Sequence, residues 1–188
     1  MSENFTQNNL GIIDILAVVD NSGSMSDEHN KLKNKLPDLI SEIKDTNWKI
    51  KVVSTDSGDN CLTGEITGAD GIDAAKAKFT QMIDDLGTSG SGNERGVYKA
   101  NIGLKCNDNW IRKQSSLVVL IVSDEDNCSN GSCSGNDSND LPATLIATMG
   151  SQLADTTRVV KKDAKIYGLI RIPDDDQCNS QDSIEGCG

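Results

Sequence analysis

The fold is decided by residues 12–25, which read IIDILAVVDNSGSM. The first eight of these residues are mainly aliphatic and β-branched. A short run of this kind that ends in a turn predicts a strand buried on both faces. An amphipathic stretch follows the turn, with apolar residues at helical spacing. A buried strand that leads through a small-residue turn into a helix is typical of an α/β protein with a parallel sheet.

The turn brings oxygen atoms to the carboxyl end of this strand. Asp20 supplies a carboxylate, and Ser22 and Ser24 supply hydroxyl groups that the flexible Gly23 lets turn toward one point. Open α/β sheets bind ligands at this edge, and oxygen ligands suit a hard cation. The turn therefore predicts a site for Mg²⁺ or Ca²⁺. The alternative is that the same residues only cap the following helix.

A second apolar strand is predicted over residues 116–122, and it also ends at an acidic residue, Asp124. Parallel strands bring their carboxyl ends to one edge of a sheet, so we expect Asp124 to lie near Asp20. Strand and helix patterns alternate along the rest of the chain. We predict helices over 26–45, 72–86, 96–104 and 141–162, strands over 48–54 and 164–172, and an antiparallel hairpin strand near 62–66. The fold class that follows is α/β, a Rossmann-like three-layer fold with a mostly parallel central sheet.

The Asp-x-Ser-x-Ser turn after a buried strand, followed later by Asp124, resembles the metal-ion-dependent adhesion site of von Willebrand factor type A domains, a family that includes integrin inserted domains. The resemblance spans residues 12–172. It implies that Ser22 and Ser24 bind the ion directly, while Asp20 and Asp124 mainly hold coordinated water. It also implies a binding or adhesion module, rather than an enzyme, in which the ion takes a carboxylate of a partner protein.

The glycine-rich stretch 88–96, TSGSGNERG, departs from the family pattern. The family places a metal-reaching threonine just before the helix that follows this loop. Here the spacing puts Asn93 or Glu94 at that position, and Thr88 lies upstream. We therefore leave open which residue supplies the oxygen: Thr88, Ser89, Ser91, Asn93 or Glu94. A glutamate would add charge and shift the preference toward Ca²⁺.

Length and composition fit one domain, residues 1–188, with a core over 12–172 and a C-terminal segment over 173–188. The 188 residues are 36% hydrophobic and 25% charged, as in an ordinary globular protein. The net charge of −11 argues against binding to nucleic acid or to anionic lipid. We predict no transmembrane segment and find no secretory signal at the N-terminus. We interpret the chain as part of a larger protein.

Six cysteines, none of them in a Cys-x-x-Cys pair, favour disulfides over a zinc site. Short spacings favour Cys128–Cys133 and Cys178–Cys187, which leaves Cys61–Cys106 as a long-range bridge. Bridges form in an oxidising compartment. We therefore expect an extracytoplasmic location, in the periplasm, on the cell surface or in the medium.

Two other functions are consistent with carboxylates at strand ends: a metal-dependent hydrolase, and a structural domain stabilised by its ion. The sequence shows no nucleophile paired with a base and no phosphate-binding loop. We expect the single histidine, His29, to pack against the fold or to face solvent. These features place the hydrolase below the binding module.

Overall fold

The computed structural model describes residues 11–56, 64–106, 110–125, 127, 140–153 and 164–169. Its strands are β1 (Ile12–Val19), β2 (Asn47–Ser54), β3 (Glu65–Thr67), β4 (Ser116–Val122) and β5 (Ala164–Leu169). Its helices are α1 (Ser26–Glu42), α2 (Ile72–Leu86), α3 (Gly96–Lys105) and α4 (Pro142–Leu153). Short 3₁₀ turns at Gly23–Met25 and Gly68–Asp70 precede α1 and α2.

The five strands form one sheet in the order β3-β2-β1-β4-β5. β2, β1, β4 and β5 are parallel, and β3 pairs antiparallel with β2. β1 and β4 lie inside the sheet, which explains why both are apolar on nearly every residue. The Rossmann-like α/β class predicted from the sequence is confirmed.

Helices cover both faces of the sheet. Successive side chains of β1 point to opposite faces, so Ile15 and Ala17 pack in one core and Leu16 and Val18 in the other. α1 and α2 bury Leu36 and other apolar residues in the first core. α3 and α4 cover the second core, to which they contribute Ala100, Leu104, Leu145 and Met149. The result is a helix-sheet-helix sandwich with a hydrophobic core on each side.

An ion pair fastens the N-terminal edge of the sheet. Asp14 interrupts the apolar run of β1 and is fully buried. Arg112 donates its backbone N–H to Asp14 Oδ2 at 2.6 Å and its Nε–H to Asp14 Oδ1 at 2.8 Å. The guanidinium also donates to the carbonyl oxygens of Ile13 and Asn47, each at 3.0 Å. The segment before β4 is thereby tied to the starts of β1 and β2.

The register aligns the opposite, C-terminal edge. Val19, the last residue of β1, pairs with Ser54 of β2 and Val122 of β4. The chain continues this alignment beyond the strands, because the Asp20 N–H donates to the Val122 carbonyl at 2.9 Å. The residues that follow the three strands therefore share one edge: Asp20, Thr55 and Ser123.

The observed element boundaries agree closely with those predicted from the sequence, with a few differences. α1 ends at Glu42 rather than at residue 45, because residues 43–45 form a turn. The hairpin strand is Glu65–Thr67, antiparallel as predicted. The ends of the predicted last helix and last strand, beyond Leu153 and Leu169, lie outside the described residues. None of the helices in the described ranges has the length and apolar character needed to cross a bilayer.

Cys106 is the one cysteine among the described residues, and it is disulfide-bonded. Its partner and the other cysteines lie outside the described residues. The three predicted pairings therefore stay predictions. The C-terminal segment 173–188 also lies outside the described residues.

Candidate metal site

Asp20 is held in a fixed orientation at the end of β1. Its carboxylate is fully buried, with Oδ1 accepting the Ser22 N–H at 2.8 Å and Oδ2 accepting the Ser123 hydroxyl at 2.6 Å. Its backbone carbonyl accepts a hydrogen bond from His29 Nε2 at 2.6 Å. His29 lies in the first turn of α1 and is itself buried. The strand, the following helix and the end of β4 thus all fix this residue.

The two serines bridge Asp20 to Asp124. The hydroxyl oxygens of Ser22 and Ser24 are 2.9 Å apart, as expected if both turn toward one point. The Ser24 hydroxyl donates to Asp124 Oδ1 at 3.3 Å. The structure therefore brings together four of the residues singled out in the sequence, although Asp124 is 100 residues from Ser24 along the chain.

The surroundings of Asp124 raise the pKa of its carboxyl group. Burial raises the pKa of the Asp124 carboxyl above its usual range, the hydrogen bond from Ser24 opposes this rise, and the nearby charge of Asp20 adds to it. The ionised form of Asp124 is therefore disfavoured in the metal-free protein. A bound divalent cation would remove this penalty, because it places positive charge beside both carboxylates.

The first half of the glycine-rich loop lies directly against the Asp20 turn. The Gly90 N–H donates to the Asn21 carbonyl at 2.8 Å. The Thr88 carbonyl oxygen is 3.9 Å from the position that a Cβ on Gly23 would take. Thr88 is half-buried, and its hydroxyl makes no hydrogen bond to the four clustered residues within the described part of the chain. The Thr88 carbonyl, rather than its side chain, is thus what the structure places beside Gly23.

Close packing at Gly90 gives a testable consequence. A Cβ at this position would lie 2.3 Å from Oδ1 of the buried Asn21, so Gly90→Ala must displace either the Asn21 side chain or the loop. We expect a loss of about 1–3 kcal/mol in the free energy of unfolding, measured by urea denaturation. The matched variant is Gly92→Ala, since no heavy atom lies within 4 Å of its added Cβ. Equal stability of the two variants would contradict the observed packing.

The second half of the loop buries a carboxylate at the same edge. Glu94 is 1% exposed and lines a small cavity together with Ser123 and Glu125. The next residue, Arg95, donates its N–H to the Thr55 carbonyl at 3.2 Å. Glu94 therefore lies between the ends of β2 and β4, beside the serine that bonds to Asp20.

Three contacts that the sequence did not suggest hold this half of the loop. Arg95 forms a two-point ion pair with Asp140, with Nε 3.1 Å from Oδ1, and its guanidinium lies 4.0 Å from the centre of the Tyr98 ring. Asn127 accepts the Val97 N–H at 2.9 Å through its side-chain oxygen and so caps the start of α3. The backbone around Glu94 is therefore anchored to the segments that follow β4 and precede α4.

Polar atoms at this edge fit a hard cation. The Thr55 hydroxyl and the Asn93 side-chain oxygen are buried and have no hydrogen-bond partner within the described ranges. Within those ranges, no three His, Cys, Asp or Glu side chains are grouped closely enough to hold a metal by themselves. The candidate site therefore depends on the serine hydroxyls as well as on the carboxylates. Donor atoms that are all oxygen suit Mg²⁺ or Ca²⁺.

Comparisons with known proteins find similarity to solved structures of one bacterial pilus adhesin. No family profile and no curated protein sequence matches the chain. Solved structures of the pilus adhesin SpaC from Lactobacillus rhamnosus GG are similar to 64% of this chain at 14% identity, with a TM-score of 0.43. For the open conformation of that adhesin the values are 62%, 16% and 0.39. The matched region is 16% or 15% of the adhesin's own chain. This similarity assigns neither family nor function.

Proposed function

We propose that the chain is a von Willebrand factor type A-like module that binds a partner protein through a divalent cation. The observation that carries the proposal is the hydrogen-bonded cluster of Asp20, Ser22, Ser24 and Asp124 at the C-terminal edge of β1 and β4. Its residue types and their order along the chain resemble those of the metal-ion-dependent adhesion site of that family, an Asp-x-Ser-x-Ser turn followed later by an aspartate. The parallel arrangement of β1 and β4 is consistent with that family as well.

In this proposal Ser22 and Ser24 hold Mg²⁺ or Ca²⁺ directly, and Asp20 and Asp124 hold it mainly through water. The existing hydrogen bonds of Asp20 support this role, since both of its carboxylate oxygens already accept bonds from the protein. From the glycine-rich loop, Thr88 or Glu94 completes the set. The burial of Glu94 at this edge favours Glu94.

A cation held by few direct carboxylates stays electron-poor and offers a coordination position to an outside oxygen. We propose that a carboxylate of the partner protein takes this position, because a charge-assisted contact of this kind is strong and has a fixed geometry. Ser24 and Asp124 support the proposal, since the hydrogen bond between them lies on the solvent-exposed side of the cluster. The site is thus accessible to another protein.

The position of His29 favours binding over hydrolysis. A catalytic histidine must exchange protons with a substrate. His29 is the chain's single histidine, and it is 4% exposed with Nε2 bonded to the Asp20 carbonyl. It therefore supports the turn and is not placed to act as a general base. Turnover of phosphatase or esterase substrates with Mg²⁺ or Mn²⁺ would instead favour the hydrolase.

The disulfide at Cys106 supports an extracytoplasmic location. The even number of cysteines is in keeping with it. We propose that the module is part of a larger protein in the periplasm, on the cell surface or secreted. An acidic net charge of −11 makes nucleic acid an unsuitable partner.

Binding to an array of peptides that contain Asp or Glu tests the function. We expect captured peptides to lose binding when their carboxylates are replaced by amides, and all binding to vanish in EDTA and return with Mg²⁺ or Ca²⁺. Ser22→Ala, Ser24→Ala and Asp124→Ala should each weaken binding by about tenfold or more, because each removes an oxygen that holds the ion or its water. Thr88→Ala and Glu94→Ala, tested in parallel, identify the contributing loop residue.

Ser151→Ala is the control for these variants, because Ser151 lies on α4 and, among the residues that the structure describes, its hydroxyl bonds only to the Thr148 carbonyl. Circular dichroism should show that every variant is folded. Peptide binding that persists in EDTA, or that every variant retains, would contradict the proposed function. A purely structural ion would then be the better explanation.

A further inference from the structure

The C-terminal edge of the sheet is strongly acidic. In the part of the chain that the structure describes, this edge consists of residues 20–27, 54–56, 88–96, 123–125, 127 and 140. These segments contain seven carboxylates, those of Asp20, Asp27, Asp56, Glu94, Asp124, Glu125 and Asp140. Their one guanidinium, that of Arg95, is already paired with Asp140. A divalent cation at the cluster would therefore offset only part of the negative charge.

Two acidic residues that do not belong to the cluster lie next to it. The Glu125 N–H donates to the Ser123 hydroxyl oxygen at 3.1 Å, and that hydroxyl donates to Asp20 at 2.6 Å. Asp27 is exposed in the first turn of α1, three residues after Ser24. Asp27 and Glu125 are therefore placed to contact a partner protein that binds at the cluster.

The opposite edge of the sheet has the opposite charge. Its described segments, residues 11–14, 43–49, 67–70, 110–116 and 164–165, contain five cationic and three acidic side chains. The cationic residues are Lys44, Lys49, Arg112, Lys113 and Lys165. The charge of the chain, −11 overall, is thus distributed unevenly over the two edges. A basic group that approaches the protein is attracted to the C-terminal edge.

A buried hydroxyl indicates a ligand at this edge independently of the charge. Thr55 is 0% exposed, and its hydroxyl has no hydrogen-bond partner among the described residues. Val19 pairs with Ser54, so the next residues, Asp20 and Thr55, lie side by side with their side chains on the same face of the sheet. A buried polar group without a partner destabilises a fold. A hydrated cation beside Asp20 would supply a partner for this hydroxyl.

We propose that the partner segment at this site is basic and contains a single carboxylate. The inference rests on the proposed function and names the class of partner. The carboxylate takes the open position on the cation, while Lys or Arg side chains next to it pair with Asp27 and Glu125. Further acidic groups in the segment are repelled by the edge, because the cation leaves it negative. Opposite charges also steer the partner to this edge, so its association slows as salt is added.

Three peptides test the partner class. They share one central aspartate and differ only in the residues on either side of it, which are all lysine, all glutamine or all glutamate. With saturating Mg²⁺ or Ca²⁺, we expect the lysine peptide to bind about tenfold more tightly than the glutamine peptide, since two exposed charge contacts contribute about threefold each. The glutamate peptide should bind most weakly. Isothermal titration calorimetry at low and at physiological salt measures these affinities.

Two variants locate the contacts. Asp27→Asn and Glu125→Gln should each weaken binding of the lysine peptide by about threefold and leave the glutamine peptide unchanged. Asp45→Asn is the matched control, since it removes the same charge from an exposed residue at the opposite edge. Its affinity for the lysine peptide should stay that of the wild type. An equal loss in Asp45→Asn would indicate general attraction to an acidic protein and would overturn the inference.

The remaining outcomes distinguish this inference from the proposed function. If the lysine and glutamine peptides bound equally well and both were released by EDTA, the metal-dependent function would stand and the basic partner class would be wrong. A lysine peptide that stayed bound in EDTA, or that bound equally well with asparagine in place of its aspartate, would contradict both.

Discussion

Saturation with Mg²⁺ or Ca²⁺ should raise the free energy of unfolding by about 2.7 kcal/mol when the cation is present at about a hundred times its Kd. In the proposed function the cation binds the folded cluster of Asp20, Ser22, Ser24 and Asp124, which the unfolded chain lacks. For a domain of this size the increase corresponds to about 5 to 10 °C in Tm. Thermal unfolding followed by circular dichroism, with cation and with EDTA, measures it.

Asp124→Asn separates metal binding from fold stability. We expect this variant to lose the response to cation, yet to be at least as stable as the wild type in EDTA at neutral pH. Its amide carries no charge, whereas the ionised Asp124 carboxylate is penalised by burial and by Asp20. Asp20→Ala should also lose the response, but at a cost in stability, because it removes the acceptor of two hydrogen bonds.

The pH dependence of the metal-free protein follows from the same pKa. A carboxyl whose pKa is raised by folding binds its proton more tightly in the folded state. Its contribution to stability is therefore complete below the ordinary carboxyl pKa and is lost as the pH rises through the raised value. The advantage of Asp124→Asn over the wild type in EDTA should accordingly disappear in acid. The control is Asp38→Asn, a substitution at an exposed residue of α1 that should keep the full stabilisation by cation. If Asp124→Asn also kept this stabilisation, the assignment of Asp124 to the metal site would be wrong.

Removal of the Arg112 side chain should cause the largest loss of stability. We expect Arg112→Ala to lower the free energy of unfolding by about 3–5 kcal/mol, because it leaves the fully buried Asp14 carboxylate without its cation. The change also removes donors from the carbonyls of Ile13 and Asn47. Urea denaturation measures the loss.

A double-mutant cycle tests whether the loss comes from the ion pair. Asp14→Ala combined with Arg112→Ala should cost clearly less than the two single changes together, since neither charge is then left buried alone. Lys35→Ala is the control for loss of an exposed cation on α1. A loss below about 1 kcal/mol in Arg112→Ala would mean that the pair contributes no more than a surface contact.

Much of the fold was predictable because its hydrophobic periods are clear. The apolar runs of β1 and β4 can be buried only inside a sheet that is covered on both faces, and the structure places both strands there. The apolar spacing over 72–86 and the glycine after it fixed both ends of α2. Proximity of Asp20 and Asp124 also followed from the sequence, since parallel strands in one sheet bring their carboxyl ends to one edge.

Long-range polar contacts were not predictable, because they depend on register and on loop conformation. Asp14 is an acid inside an apolar strand, but nothing in the pattern singled out Arg112, 98 residues away, as its partner. The ion pair between Arg95 and Asp140 had no sequence signature. The Asp56 carboxylate accepts the Ser91 N–H at 2.9 Å and anchors the glycine-rich loop, a contact that no sequence pattern indicates.

The hydrogen bond from His29 to the Asp20 carbonyl gives this protein a built-in spectroscopic reporter. Because the chain has a single histidine, its imidazole protons give unique signals in a proton NMR spectrum without any label or tag. The ring touches the backbone of the very turn that carries Asp20, Ser22 and Ser24. Titration with cation should therefore shift these signals. Their line shapes should report how fast the turn exchanges between its cation-free and cation-bound forms.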